Sequence, residues 1–288
     1  MTLIASVSVL QPSAAAPAST PLYFIDNVRM FDGEAVSPDI DVLIADGVIA
    51  AVGTNLTPPA EAEVVAGEGK TLIPGLIDSH AHPLTVNQLR ESLLFGVTSV
   101  LGQHEPLAVT QFQQCAGPSA DRAFLFPATA AATAEGGHAE PGRPTISSPS
   151  EAPQFVADRI AEGAHHIKII REDLTLWGSP TPVPQVSNEV VRAVAQAAHD
   201  QGKLAVAHVT KRSDAHKVLR AGVDGLAHMP VDEPAGPRLR RLLLENDAFV
   251  VPTLAVEQTA DGAVFGQEPL DDPLLSPWLT PSAQATLQ

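Results

Sequence analysis

Two histidines one residue apart, His80 and His82, close the apolar stretch "IPGLIDSHAHP" at residues 73–83. In an extended strand, residues i and i+2 project to the same face, so both imidazoles would point at one spot, and that arrangement suits a metal ion. Two solvated histidines in a loop would carry the same local sequence, so the rest of the chain has to decide. Further along, Lys168 lies inside the apolar run "HHIKII", His208 ends "LAVAHV", and His228 ends "DGLAHM". A bare ammonium inside an apolar strand is costly unless it is paired or neutralised. A salt-bridged lysine at the rim is the plain account of Lys168. Beside four imidazoles a further positive charge makes little sense, whereas an amine carrying a carboxylate would be an anionic bridge between two metals.

The elements that must position these groups follow from the apolar rhythm. Residues 22–66 read as β structure, with Asp46-Gly47 between "DVLIA" and "VIAAV" as a two-residue hairpin signal. From residue 71 short apolar runs alternate with helical stretches. "TLIPGLIDSH", "VTSVLGQ", "AFLFPATAA", "HHIKII", "KLAVAHV", "DGLAHMP" and "AFVVPTLAV" read as strands. "TVNQLRESLLFG", "EAPQFVADRIAEG", "SNEVVRAVAQAAHDQG", "SDAHKVLRAG" and "PRLRRLLLEN" read as helices, with Ser187 and Ser213 as N-caps and Gly96 and Gly202 at C-termini. A βα repeat with buried, β-branched strands implies a parallel sheet. Eight such strands would close a (β/α)₈ (TIM-like) barrel, whose active groups gather at the strand C-terminal ends. A doubly wound open sheet is the alternative, but no Gly-rich dinucleotide fingerprint follows any strand. The four imidazoles and the lysine all fall at or near strand C-termini, whereas His199 and His216 fall on helices and read as surface residues.

Bulk properties narrow the function. The 288 residues suit one large domain or two smaller ones, and 44% hydrophobic against 17% charged residues allows a large core. The net charge of −16 and the lack of any basic stripe argue against nucleic acid as a partner. Cys115 is the single cysteine, which excludes an internal disulfide framework and a thiolate metal cage. No apolar run reaches membrane-span length. Residues 1–20 read as a leader outside the fold. "LIASVSVL" followed by "AAAPAS" has the pattern of a secretory signal, but no Lys or Arg precedes Arg29, which favours a cytoplasmic chain.

The ordered set "IPGLIDSHAHP", "GVTSV", "EGGHAEP", "EGAHHIKII", "LAVAHV" and "AGVDGLAHMP" resembles the metal-dependent amidohydrolase superfamily, in the branch with imidazolonepropionase-like proteins and prolidase-like dipeptidases. The resemblance covers about residues 40–255. It implies that residues 21–70 supply the N-terminal part of a composite β-sandwich and residues 71–288 a barrel. It also implies two divalent metals, with zinc the best match to imidazole and oxygen ligands. His80 and His82 would hold the first metal, His208 and His228 the second, and Lys168, carboxylated by CO₂, would bridge them. A water acidified between the metals would attack the carbonyl of an amide, a dipeptide-like substrate or a cyclic amide. His138, in "GGH", is the implied grip on a substrate carboxylate or oxyanion. Gln103, His104 and Arg171 are weaker site candidates, and His165 and His166 read as structural. Related barrels commonly associate, so a homo-oligomer is compatible with the resemblance.

One departure stands out. The family places a metal-binding, proton-shuttling Asp at the end of an eighth strand, and no apolar strand ending in Asp follows "VVPTLAV". Asp271 and Asp272 lie in the Pro-flanked "EPLDDPLL" and are not assigned that role. The expectation is a barrel shortened at its C-terminus, lacking the last strand. A non-catalytic fragment or partner subunit that binds metal without turnover is the alternative function. Such a chain is expected to turn over amides and esters little, and an ordinary hydrolytic rate on either would overturn that expectation.

Overall fold

A computed structural model describes residues 21–139, 141–260, 270–279, 281 and 284. The chain divides into two compact units, residues 1–74 and 75–288. The first unit is a sheet of five strands: β1 (Tyr23–Phe31), β2 (Val36–Ala45), β3 (Val48–Gly53), β4 (Glu63–Ala66) and β5 (Thr71–Leu72). β1, β2 and β3 run antiparallel, while β4 and β5 pair with β1 in parallel. Asp46 (φ 51°) and Gly47 (φ 75°) turn β2 into β3 with both central residues left-handed, the geometry whose twist matches paired strands.

"TLIPGLIDSH" is thus two strands rather than one. Thr71 and Leu72 belong to the N-terminal sheet, and the next strand begins at Leu76. The break falls at Pro74, which has no N–H to give a ladder.

The second unit repeats strand and helix. In order it holds β6 (Leu76–Ala81), α1 (Val86–Leu94), β7 (Val97–Gly102), α2 (Leu107–Ala116), β8 (Phe124–Phe126), α3 (Ala152–Ala161), β9 (Ile167–Ile170), α4 (Asn188–Asp200), β10 (Ala205–His208), α5 (Arg212–Ala221), β11 (Gly225–Ala227), α6 (Gly236–Glu245), β12 (Phe249–Val251) and α7 (Leu254–Ala260). All pairings are parallel and follow chain order, β6-β7-β8 and β9-β10-β11-β12. An Ala132–Ile169 bridge and the bond from His165 N to Pro127 O join the two sets into one run of seven strands.

Helix faces explain the layering. On α4 the buried positions Val190, Val191, Val194, Ala195 and Ala198 recur at helical spacing, and Ser187 Oγ accepts Val190 N–H as an N-cap. They pack with Phe155, Ile167, Ile169, Val218, Leu219, Leu226 and Leu239 in the main core. The N-cap position of α5 is Lys211, whose side chain makes no capping bond, rather than Ser213. "AFVVPTLAV" also splits, because the strand ends before Pro252 and the following residues enter α7. α2, which composition did not single out, fills the connection from β7 to β8. Among the described residues no helix is long and apolar enough to cross a membrane.

Burial is graded across the sheet. β9, β10 and β11 are buried throughout, whereas Leu76 and Ile77 of β6 and Phe249 and Val250 of β12 are exposed. Among the described residues β6 and β12 are each paired on one side only. A cavity of about 740 Å³ lies between them, bounded by Ile77, Ser79 and His80 on one side and Val251 and Thr253 on the other.

Arg171, at the end of β9, ties sheet to helix. Its Nε donates to Asp214 Oδ1 of α5 at 2.9 Å, and its Nη1 donates to the carbonyl of Val186, all buried. It serves the scaffold in this position and does not line the pocket at the strand ends. Removing one partner of a buried ion pair leaves the other charge uncompensated. Asp214→Ala should therefore lower the unfolding free energy by about 3–5 kcal/mol, read as a shift in the urea midpoint; an unchanged midpoint would contradict the pairing.

Candidate active site

The parallel ladder carries its polar residues to one end. Gln103 N–H donates to Ala81 O, Arg171 N–H to His208 O, Val209 N–H to Ala227 O and His228 N–H to Val251 O. The residues just beyond each strand are thereby set side by side. The imidazoles form a chain of contacts. His80 Nε2 and His82 Nε2 are 3.3 Å apart. Ring centroids are 4.6 Å apart for His80–His228, 4.4 Å for His208–His228 and 5.1 Å for His138–His208. Lys168, 1% exposed, lines the same pocket of about 200 Å³ together with His82, His138, His208 and His228. All six sequence-derived site residues therefore meet at one place.

Charge is the difficulty here, and burial resolves it. Burial, followed by the neighbouring positive charges, holds His80 and His208 far below the ordinary imidazole pKa and His228 down to about 2. His82 and His138 are lowered for the same first reason. Burial likewise brings the Lys168 amine down to about 7, partly offset by the charge of Glu105. Lys168 Nζ donates to Gln103 Oε1 at 3.0 Å, a partner that carries no charge.

Several tautomers can be read from hydrogen bonds. Thr253 Oγ1 donates to Pro252 O, so it accepts at 2.6 Å from His228 Nδ1, which leaves the His228 Nε2 lone pair free. His82 is directed at the backbone carbonyl of His104. Backing one ring nitrogen with a backbone carbonyl or side-chain oxygen is how metal-ligating histidines are oriented. His80 Nδ1 and His208 Nε2 are buried without a hydrogen-bond partner. Neutral imidazoles with bare nitrogens are the donor chemistry that a divalent cation uses, so this set fits a metal. Among the described residues no three His, Cys, Asp or Glu side chains yet converge as a finished shell.

The surrounding scaffold holds features that residue patterns did not reveal. Glu105 is fully buried, its pKa raised by burial, and its carboxylate accepts from Thr129 N at 2.7 Å, His104 N at 3.2 Å and Thr110 Oγ1 at 3.3 Å. It binds the ends of β7 and β8 together. Gly102 makes room for it: a Cβ there would lie 2.4 Å from Glu105 Oε2. Glu172 and Glu257 touch the imidazole cluster, at 3.5 Å from His208 Nε2 and 3.4 Å from His228 Nδ1. Glu257 is raised by burial and by the nearby charge of Glu172. The backbone at this end is strained, with positive φ at His104 (144°), Thr129 (62°), Leu174 (61°), His228 (76°) and Thr253 (48°). Such conformations persist only where the surroundings over-determine them. Asp272 caps a later turn through Leu274 N. His165 and His166 border a lower cavity of about 660 Å³, His165 packing edge-on against Phe126.

Comparison with known proteins agrees in kind. A family profile described as amidohydrolase family matches residues 71–261. Among solved structures, an amidohydrolase aligns with a TM-score of 0.70 at 22% identity, covering 89% of this chain and 73% of its own. A Xaa-Pro dipeptidase with bound methionine in the active site aligns at 0.69 and 21%, covering 89% and 72%. A prolidase complexed with N-methylphosphonate-L-proline aligns at 0.70 and 23%, covering 84% and 69%.

The depressed imidazoles set a pH dependence. Unfolded histidines titrate near 6.5, and His80, His208 and His228 resist protonation far below that in the fold. Below that pH the unfolded chain takes up protons that the native cluster refuses, so stability present at neutral pH is lost as pH falls. For metal-free protein the loss should approach about 1.4 kcal/mol per pH unit for each such imidazole. Urea midpoints at stepped pH between neutral and mildly acidic conditions measure it, and a flat series would contradict burial of neutral rings.

Proposed function

The chain belongs to the amidohydrolase family, and on that premise we propose that its second unit is a metal-dependent hydrolase of C–N bonds in a small amide or dipeptide-like substrate. The observation that carries this reading is the packing of His80, His82, His208 and His228 into ring-to-ring contact around one pocket that also holds the buried amine of Lys168.

His80 and His82 would hold one divalent ion and His208 and His228 a second, zinc being the ion best matched to these ligands. When bound, the metals would lower the pKa of a water towards neutrality and polarise the scissile carbonyl. Lys168 would serve as bridge after its unprotonated Nζ adds to CO₂ and releases a proton. Its pKa of about 7 keeps a large part of the amine in the reactive form at neutral pH. Thr253 holds the His228 ring with Nε2 turned to the site, and Gln103 holds the Lys168 amine in place. His138, whose carbonyl accepts from Thr133 Oγ1 at 2.8 Å, presents its ring beside His208 and would contact a substrate oxygen.

Elemental analysis of purified protein should find about two divalent metals per chain, reduced in His80→Ala. A dipeptide should then be cleaved slowly in a reaction stopped by chelation. Metal without any metal-dependent cleavage would favour a non-catalytic metal-binding role, and absence of metal from wild-type protein would overturn the proposal.

A further inference from the structure

Two carboxylates beside the imidazole cluster lack a cation. Glu172, two residues past β9, is 2% exposed. Leu174 N–H donates to its Oε1 at 2.8 Å and the Thr210 hydroxyl to its Oε2, which fixes the group in place. Glu257, on α7, is also largely buried, and its Oε1 has no hydrogen-bond partner. Among the described residues, the ionisable nitrogens within ion-pairing distance of these carboxylates are those of His208 and His228. Burial keeps both rings neutral. The residues outside that description, 1–20, 140, 261–269, 280, 282–283 and 285–288, include no Lys or Arg. Buried carboxylates without an offsetting charge are costly, and such groups are as a rule paired or bound to a metal.

The contacts with the rings are close without being hydrogen bonds. Glu172 Oε2 lies 3.5 Å from His208 Nε2, a buried nitrogen with no hydrogen-bond partner. Glu257 Oε1 lies 3.4 Å from His228 Nδ1, whose proton goes to Thr253 Oγ1. The two carboxylates are also near enough for the charge of Glu172 to act on Glu257. Two acidic groups and two neutral imidazoles thus share one corner of the site. A cation there would satisfy the acids and the bare ring nitrogen together.

We infer that Glu172 and Glu257 are the acidic partners of the ion assigned to His208 and His228. Glu172 offers an oxygen beside His208 Nε2, and Glu257 is a positioning residue that holds the His228 ring from its Nδ1 side. The assignment rests on the metal-binding part of the reading above. Four neutral imidazoles supply lone pairs but no charge, whereas this pair supplies negative charge inside the buried site. Carboxylates set against ligating imidazoles fix the rings and raise their basicity. The two carboxylates therefore act on the ion at His208 and His228 and not on the one at His80 and His82.

The test is zinc titration of the full chain, freed of metal by dialysis against a chelator, with a chromophoric chelator as competitor. Glu257→Gln and Glu172→Gln should each weaken one of the two ions by about 10–100-fold and leave the other unchanged. In a His228→Ala background Glu257→Gln should cost nothing more, and in a His80→Ala background its full effect should remain. The urea midpoint of metal-free Glu257→Gln should equal or exceed that of the wild type, because a buried charge without a partner has been removed. Wild-type affinity for both ions in the two variants, equal weakening of both ions, or a lowered metal-free midpoint would overturn the assignment. Selective weakening in a chain that cleaves no amide would keep the assignment and remove the hydrolase reading. Metal-dependent cleavage with unchanged zinc affinity in both variants would do the reverse.

Discussion

The constraint on which the second unit depends is the joint burial of nitrogen bases. Three strand ends, those of β6, β10 and β11, deliver four imidazoles to one place, and β9 delivers an amine that is 1% exposed. Several protonated groups at such separations in a poorly hydrated site would repel one another strongly. The fold keeps them together by keeping them neutral. That requirement explains why the Lys168 partner is an amide oxygen and why His228 leans on a hydroxyl. It also gives the site its chemical character, since neutral nitrogens with free lone pairs ligate metal and charged ones do not.

Holding the cluster requires the connections beyond the strands to be rigid, and the structure supplies that rigidity with buried polar groups. The Glu105 carboxylate gathers a hydroxyl and two backbone amides from the ends of β7 and β8. Arg171 and Asp214 fasten β9 to α5. Left-handed residues at His228 and Thr253 turn the chain sharply after β11 and β12, which presents the His228 side chain to the site. Strain of this kind costs about 1–3 kcal/mol per residue and is sustained by the main core of β9–β11 and α3–α6.

Much of this was legible in the residues. Strand-end histidines are readable because a parallel strand is a short apolar run with a definite end, and the Asp46-Gly47 turn is readable because few dipeptides take two positive φ values. Other features depend on distant partners. Whether Thr71 and Leu72 extend the barrel or join β1 is decided by pairing. Pro252 ends β12 early, and α7 follows where apolar content suggested more strand. Arg171 sits three residues from Lys168 yet faces α5, because the scaffold contains Asp214 there. Glu105 and Glu257 carry no local motif; one is revealed by the amides it collects and the other by the imidazole it faces.

The graded burial of the sheet links the cluster to the fold. β6 and β12 lie at opposite ends of the strand order, each paired on one side among the described residues, with a cavity between them. Yet His80 and His82 come from β6 and its end, and His228, beyond β11, is hydrogen-bonded to Val251 and Thr253 at the end of β12. The His80–His228 contact therefore spans the opening. Ions held at the two histidine pairs would add bonds on either side of the least buried part of the sheet. Because such binding acts on the folded state alone, its free energy would appear as stability. Ligand geometry and closure of the sheet are in this way one problem: the rings converge only if the first and last strands stay in place, and bound ions would be what keeps them there.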